Sequence, residues 1–171
     1  MIRGNESRNY GFNLLVRQYQ ERVYHLIRRM VIDHNDTDDL VQETFIKVWQ
    51  NLESFRSDSK LFTWIYRIAT NEALSFLNKK KRRFMLPLVD YDRVLESKLS
   101  DGHSFSGDEI QKKLFKALLT LPEKQRLVFQ MKYFEELKYD EISEVLGTSV
   151  GALKASYHIA VKKIEENLKT D

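Results

Sequence analysis

The chain has 171 residues, enough for one domain or two small ones, and 42% of them are hydrophobic, which suffices for globular cores. It contains no cysteine, which excludes disulfides, thiolate zinc sites and redox switching. No run approaches the roughly 18 apolar residues of a membrane span, and the N-terminus lacks a signal-peptide apolar segment, so we expect a cytoplasmic protein. Only two prolines and six glycines, with abundant Leu, Lys, Glu and Gln, favour helix.

The net charge is only +3, but the charges are unevenly distributed. Residues 31–53 hold six acidic side chains against one lysine, whereas residues 54–83 hold eight basic side chains against two acidic ones. An acidic segment followed at once by a basic one indicates two surfaces for two different partners. The plainer alternative is that both segments are solvated helix faces.

The N-terminal part of the chain predicts two amphipathic helices. Apolar residues at helical spacing predict the first over 10–30, and Asn35 or Asp36 is predicted to cap the second. The predicted buried stripe of the second helix is Val41, Phe45, Val48 and Leu52. The opposite face carries Asp39, Glu43, Ile46 and Gln50. An isoleucine among carboxylates and amides is typical of a protein interface, although a stray apolar residue on a solvated face is the alternative.

A polar loop and a basic helix follow. Residues 54–60, SFRSDSK, predict a loop, and an aromatic-rich helix is predicted from about Leu61 to Leu77. This helix leads into KKKRR at 79–83, which suits phosphate contact as well as a solvated helix end. Residues 84–108 lose periodicity and gain acidic residues, so we interpret them as a linker with little fixed structure.

The segment 137–163 has the pattern of a helix-turn-helix. Its first helix is predicted to bury Ile142, Val145 and Leu146, and Gly147 with Thr148 ends it. Ser149 is placed to cap a second helix, whose predicted stripe is Val150, Leu153, Tyr157, Val161 and Ile164. This second helix, basic and without acids from 149 to 164, could enter a DNA major groove. The alternative is a buried helical hairpin without a DNA role.

The sequence contains no recognisable active site. Its four histidines are scattered without metal-ligand spacing, and it has neither a glycine-rich phosphate loop nor a nucleophile elbow. The paired acids Asp38-Asp39 and Glu135-Glu136 are expected on polar helix surface. We therefore expect no catalysis, no cofactor and no metal site.

Two sequence blocks together resemble a known family. They are DLVQETF followed by FTWIYRIATN within residues 35–83, and LPEKQR followed by YDEISEVLG within residues 121–164. The chain resembles the extracytoplasmic-function (ECF) sigma factors of bacterial transcription. The resemblance implies an all-α fold of two small helical domains, 1–83 and 109–171, joined by a flexible linker at 84–108. It also implies a factor that binds core RNA polymerase and directs promoter-specific initiation.

The resemblance assigns residues to three surfaces. Docking on the clamp helices of the largest polymerase subunit falls to Asp39, Gln42, Glu43, Ile46 and Lys47. Recognition and melting of the −10 element fall to Arg56, Ser57, Asp58, Ser59, Lys60, Asn71, Lys79, Lys80, Lys81, Arg82 and Arg83. Recognition of the −35 element by the second domain falls to Lys138, Ser149, Ala152, Lys154, Ala155, Ser156, His158, Ile159 and Lys162. The implied partners are core polymerase, including its flap region, promoter DNA and a candidate membrane-bound anti-sigma factor, with no small-molecule substrate.

The second helix of the helix-turn-helix departs from the family pattern. The family often has arginines where this chain has Ser156, Ile159 and Val161. Paired hydrogen bonds from arginine to guanine are then replaced by apolar contact with thymine methyl groups, lysine–phosphate contacts and shape readout. Two other functions stay open at this point. One is a stand-alone helix-turn-helix regulator, and the other is an interaction protein that sequesters a partner and has lost DNA binding.

Overall fold

The computed structural model describes residues 2–83, 93, 97 and 109–170. All its regular elements in these ranges are helical, which confirms the predicted all-α class. The α-helices are α1 Ile2–Val31, α2 His34–Asn51, α3 Leu61–Arg83, α4 Glu109–Leu119, α5 Glu123–Tyr133, α6 Tyr139–Leu146 and α7 Val150–Thr170, with a 3-10 turn at Leu52–Ser54. The predicted linker lies outside the described residues, apart from Arg93 and Ser97.

The start of α2 differs from the prediction. The capping residue is Asp33, whose carboxylate accepts a hydrogen bond from the backbone N–H of Asp36 at 3.1 Å, so the prediction of Asn35 or Asp36 was wrong. The chain turns between α1 and α2 at Ile32, which has a left-handed backbone with φ 64°. That turn leaves Asp33 extended, at ψ 134°, which is the usual conformation of a capping residue.

The first domain is a three-helix bundle of α1, α2 and α3. Val23, Val48 and Ile65 are fully buried where the helices meet, and Ala69 and Ala73 let α3 approach its neighbours closely. The predicted stripe of α2 is buried at Phe45 and Val48, but its end positions, Val41 and Leu52, are only half-buried. The helix α3 continues unbroken to Arg83, so the KKKRR segment is its last turn.

The second domain packs α4, α5 and α6 against α7. Gly147 ends α6 in the left-handed conformation at φ 65°, and the Ser149 hydroxyl accepts from the backbone N–H of Ala152 at 3.4 Å. Leu153 and Ile164 of the predicted stripe are buried, together with Ala160. The helix-turn-helix prediction is thus confirmed in its turn and cap, and its buried face is confirmed at Ile142, Val145, Leu153 and Ile164, whereas Leu146 is half-buried. The other predicted stripe positions are half-buried, namely Val150, Tyr157 and Val161.

The two domains also pack against each other. The helix α3 lies against α6, the first helix of the helix-turn-helix, and α1 contacts α5. The contact therefore joins the basic helix of the first domain to the helix-turn-helix of the second.

Candidate protein and nucleic-acid interfaces

Exposed and buried side chains lie on opposite faces of α2, as the 3.6-residue helical period predicts. Asp39, Gln42, Glu43 and Ile46 are exposed, and Ile46 keeps 55% of its surface accessible. Thr44, Phe45 and Val48 are buried on the other side. The acidic face with its exposed isoleucine is therefore available to a partner. Lys47, assigned to the same face, forms an ion pair with Glu72 of α3.

An open groove of about 600 Å³ lies between α1 and α2 beside this face. At its floor, the rings of Phe12 and Trp49 meet edge to face with centroids 5.0 Å apart. The Arg8 guanidinium lies over the Trp49 ring, 4.2 Å from its centroid, and fixes the indole in place. The groove is lined by Asn9, Phe12, Asn13, Gln42, Phe45, Ile46 and Trp49. The contribution of α1 was missed in the sequence analysis, since the apolar residues of this helix were given no role beyond helical spacing.

The loop between α2 and α3 projects polar side chains. Arg56, Ser57 and Asp58 are exposed, and Ser57 has a left-handed backbone with φ 59°. The loop base is held by Phe55, whose ring lies 5.1 Å from that of Trp64 on α3. The aromatic contact fixes the base of the loop, and the polar tip is exposed to a ligand.

The basic side chains assigned to the −10 element fall into two groups. One group is exposed and consists of Lys79, Arg82 and Arg83 at the end of α3. Asn71, in the middle of α3, and Arg56, in the preceding loop, are exposed as well. The other group is engaged in ion pairs. Lys80 pairs with Asp36 of α2, Lys81 Nζ lies 2.9 Å from Glu123, and Lys60 Nζ lies 2.7 Å from Glu141.

The pair of Lys60 and Glu141 shifts the pKa of both groups. The hydrogen bond and charge of Glu141 raise the pKa of Lys60 above its usual value. Burial raises the pKa of Glu141, but hydrogen bonds from the Lys60 side chain and the Lys138 backbone outweigh it and lower the pKa overall. Both shifts favour the charged pair at neutral pH.

The helix α7 presents a mixed apolar and basic outer face. Ser149, Ala152, Lys154, Ala155, His158, Ile159 and Lys162 are exposed, as is Lys138, whereas Ser156 is half-buried. Ile159 keeps 42% of its surface accessible. Because Leu153, Ala160 and Ile164 are buried on the opposite side, this face points away from the second domain.

Comparison with known proteins decides the family. The Sigma-70 region 2 family model matches residues 15–83, and the Sigma-70 region 4 model matches residues 111–164. The ECF RNA polymerase sigma-E factor of Escherichia coli strain K12 is 32% identical over 169 residues, covering 93% of this chain and 87% of the relative. The sigma-E factor of Haemophilus influenzae is 32% identical over 167 residues, covering 93% and 88%. The chain belongs to the ECF sigma factors.

Two solved structures share this fold. The sigma factor RpoE of Bartonella quintana, in complex with the anti-sigma factor NepR, superposes with a TM-score of 0.72 at 24% identity, covering 94% of this chain and 98% of that one. CnrH, in complex with the cytosolic domain of CnrY, gives a TM-score of 0.71 at 22% identity, covering 95% and 90%. At these identities the likeness concerns the fold.

The surroundings of Glu135 in this sigma factor differ from those predicted. Glu135 was expected on polar surface, but only 7% of its side chain is exposed. Its carboxylate pairs with Arg29 of α1 and accepts a hydrogen bond from the Tyr66 hydroxyl at 2.8 Å. Burial, and then the charge of Glu135, raise the pKa of Tyr66. The prediction failed because the contact joins residues 69 and 106 positions apart, which no local pattern reveals.

The described part of the chain contains neither a cluster of metal-ligating side chains nor a membrane-spanning helix. Within residues 2–83 and 109–170 no three metal-ligating side chains cluster. Among the helices in these ranges, none has the length and apolar character that a membrane span requires.

Proposed function

We propose that this sigma factor docks on core RNA polymerase through the exposed face of α2 and the groove beside it. The observation that carries the proposal is Ile46, which is exposed at the groove while Phe45 is buried behind it, together with Glu43, which is exposed on the same helix. A partner for this surface needs basic side chains for the carboxylates and an apolar side chain for the groove. Helices recognise one another in this way, which fits the clamp helices of the largest polymerase subunit.

The loop at 54–60 and the exposed face of α3 would bind the −10 element. Taking a base out of the duplex costs a few kcal/mol, which contacts in a polar pocket and along a basic groove offset. Ser57 and Asp58 supply polar groups at the loop tip, and Lys79, Arg82 and Arg83 supply positive charge along the strand. The exposed Asn71 lies on the same helix as these cations.

The second domain would bind the −35 element through α7 and the polymerase flap region through other surfaces. The outer face of α7 pairs small and apolar side chains with lysines, which suits thymine methyl groups and phosphates. A membrane-bound anti-sigma factor is a further candidate partner. We propose no catalytic activity, cofactor or small-molecule substrate.

The two alternative functions, a stand-alone regulator and a sequestering protein, each leave one of the exposed surfaces unexplained. A helix-turn-helix regulator has no use for the exposed acidic face of α2, and the relatives match the first domain as well as the second. A sequestering protein has no use for the exposed, lysine-bearing face of α7. A sigma factor uses both surfaces.

Reconstituted transcription tests the proposal. Core RNA polymerase supplied with this protein should start transcripts at discrete positions on a promoter library, whereas core enzyme alone should not. Sequencing the transcript 5′ ends measures this. Initiation that does not depend on added protein would contradict the proposed function, and binding of the protein to operators without polymerase would favour the stand-alone regulator.

The loop variant Ser57→Gly, Asp58→Ala, Ser59→Ala should impair promoter opening but not docking. Glycine suits the left-handed conformation at residue 57, so the variant removes side-chain contacts while keeping the backbone. We expect core binding like that of the parent and slower open-complex formation on duplex promoters, measured by permanganate footprinting. The control is a template already unpaired at the −10 element, which should partly rescue the defect. Equal defects on both templates would refute a role specific to melting.

A further inference from the structure

Four carboxylates of the second domain lie against the first domain where the −10 surface begins. One is at the start of α5, one follows α5, and two are on α6. This acidic ridge consists of Glu123, Glu135, Glu141 and Glu144. Acidic side chains of one domain thus contact the helix of the other domain that carries its basic segment.

Every member of the acidic ridge has a partner in the first domain. Glu141 and Glu123 bind the lysine ammonium groups of Lys60 and Lys81 at 2.7 and 2.9 Å. Glu144 accepts from the Thr63 hydroxyl at 2.8 Å, and Glu135 accepts from that of Tyr66 at the same distance. Three of these four partners are on α3, and Lys60 immediately precedes it.

The contact between the two domains is buried at its centre and more exposed at its rim, as protein interfaces are. At the centre Glu135 binds Arg29, whose guanidinium lies 4.7 Å from the centroid of the Phe134 ring. Gln130, itself 2% exposed, donates to the backbone carbonyl of Arg29 at 3.0 Å. At the rim, Lys60 keeps 61% of its side chain exposed. Each rim ion pair has one partner open to solvent, so these pairs contribute modestly to closure and can be displaced by a competing anion.

The anion that would compete for Lys60 and Lys81 is a DNA phosphate. Under the proposed function, Lys60 and Lys81 contact phosphates of the −10 strand, and a carboxylate on the same ammonium group excludes a phosphate there. Meanwhile Glu43 and Ile46 on α2, and Ala155 and Ile159 on α7, stay exposed. Closure therefore covers part of the −10 surface and leaves the polymerase-docking and −35 faces open.

We infer that the acidic ridge is an intramolecular partner of the −10 surface, holding the two domains closed and occupying Lys60 and Lys81 in place of DNA phosphates. The ridge releases this surface when the strand or polymerase separates the domains. The contact between the domains stands on the geometry, while the identity of the displaced ligand rests on the proposed function.

The test removes the rim charges of the acidic ridge and keeps its shape. The variant is Glu123→Gln, Glu141→Gln, Glu144→Gln. Glutamine at 141 preserves an acceptor for the Lys138 backbone N–H, which Glu141 caps at 2.9 Å. Glu135 is retained because its removal would leave the guanidinium of Arg29 without this partner in a partly buried site. The matched control, Glu136→Gln, Asp140→Asn, Glu165→Gln, removes the same charge at exposed positions of the same domain.

The first measurement is the distance between the domains in the full chain. Since the chain has no cysteine, Gln20→Cys and Lys113→Cys give a unique pair of spin-label sites at exposed positions of α1 and α4. We expect a narrow distance distribution in the parent and the control, and a longer, broader one in the ridge variant. A parent distribution that is already broad, or a ridge variant that matches the control, would overturn the inference.

The second measurement is the affinity of the unlabelled proteins for a fluorescent single strand of about 12 nucleotides. The ridge variant should bind about threefold to tenfold more tightly than the control, which has the same net charge, since the carboxylates of two ion pairs no longer compete with the strand. An opened ridge variant with the affinity of the control would support the contact between the domains and refute the placement of DNA on Lys60 and Lys81. The two measurements thus separate failure of the inference from failure of the proposed function.

Discussion

Replacing Glu43 by lysine is expected to weaken binding to core RNA polymerase by about 2 kcal/mol or more, roughly 30-fold. The substitution places a positive charge on the exposed face of α2 beside the groove, where the proposed partner surface is itself basic. Like charges brought together in an interface cost several kcal/mol and also slow association. Titration of labelled protein with core polymerase measures the change in Kd.

A charge-matched control separates docking from general electrostatics. Glu21→Lys makes the same change of charge at an exposed position of α1, where Glu21 lies 3.9 Å from His25, and it should bind core polymerase like the parent. Both variants should unfold at the parent's temperature, because their side chains are exposed. A Glu43→Lys protein that binds as tightly as the parent would refute the assignment of this face.

The sequence predicts those features that depend on local periodicity. The second helix of the helix-turn-helix is an example. Its turn follows from Gly147, its cap from Ser149, and its outer face from a 3.6-residue period that buries Leu153 and Ile164. The exposed carboxylates and Ile46 on α2 follow from the same argument. Errors occurred at helix ends, as with Asp33, where the left-handed conformation at Ile32 decided the cap.

Contacts between distant segments escape such reasoning. Glu135 appears polar and exposed from its neighbours, yet partners on α1 and α3 bury it. The groove beside α2 was missed for a similar reason, because Phe12 and Trp49 are 37 positions apart and meet only when α1 packs on α2. One signal was present in the sequence. Residues 135–144 hold five acidic side chains against one lysine, and this acidic run is opposite in sign to the basic end of α3, which permits docking between the two segments.

Replacing Ala155 by glutamate is expected to reduce binding to the −35 element by about 100-fold or more. Ala155 is exposed on the outer face of α7, so the longer side chain extends toward the groove floor without disturbing the core. The carboxylate adds repulsion from the phosphates to the steric clash. Ala155→Gln is the matched control, because it has the same length without the charge. We expect glutamine to cause the smaller loss in a fluorescence binding assay with duplex −35 DNA.

The origin of −35 specificity is tested on the DNA side of the same contact. Substituting uracil for thymine removes only the methyl group, and the apolar side chains of Ala155 and Ile159 are the groups placed to contact it. At least one uracil substitution should lower the affinity of the parent measurably and have a smaller effect on Ala155→Gln, whose side chain already displaces the contact. If every uracil-substituted site binds as tightly as the thymine site, the methyl contact is wrong. Specificity would then come from the shape of the groove and from the lysine–phosphate contacts along α7.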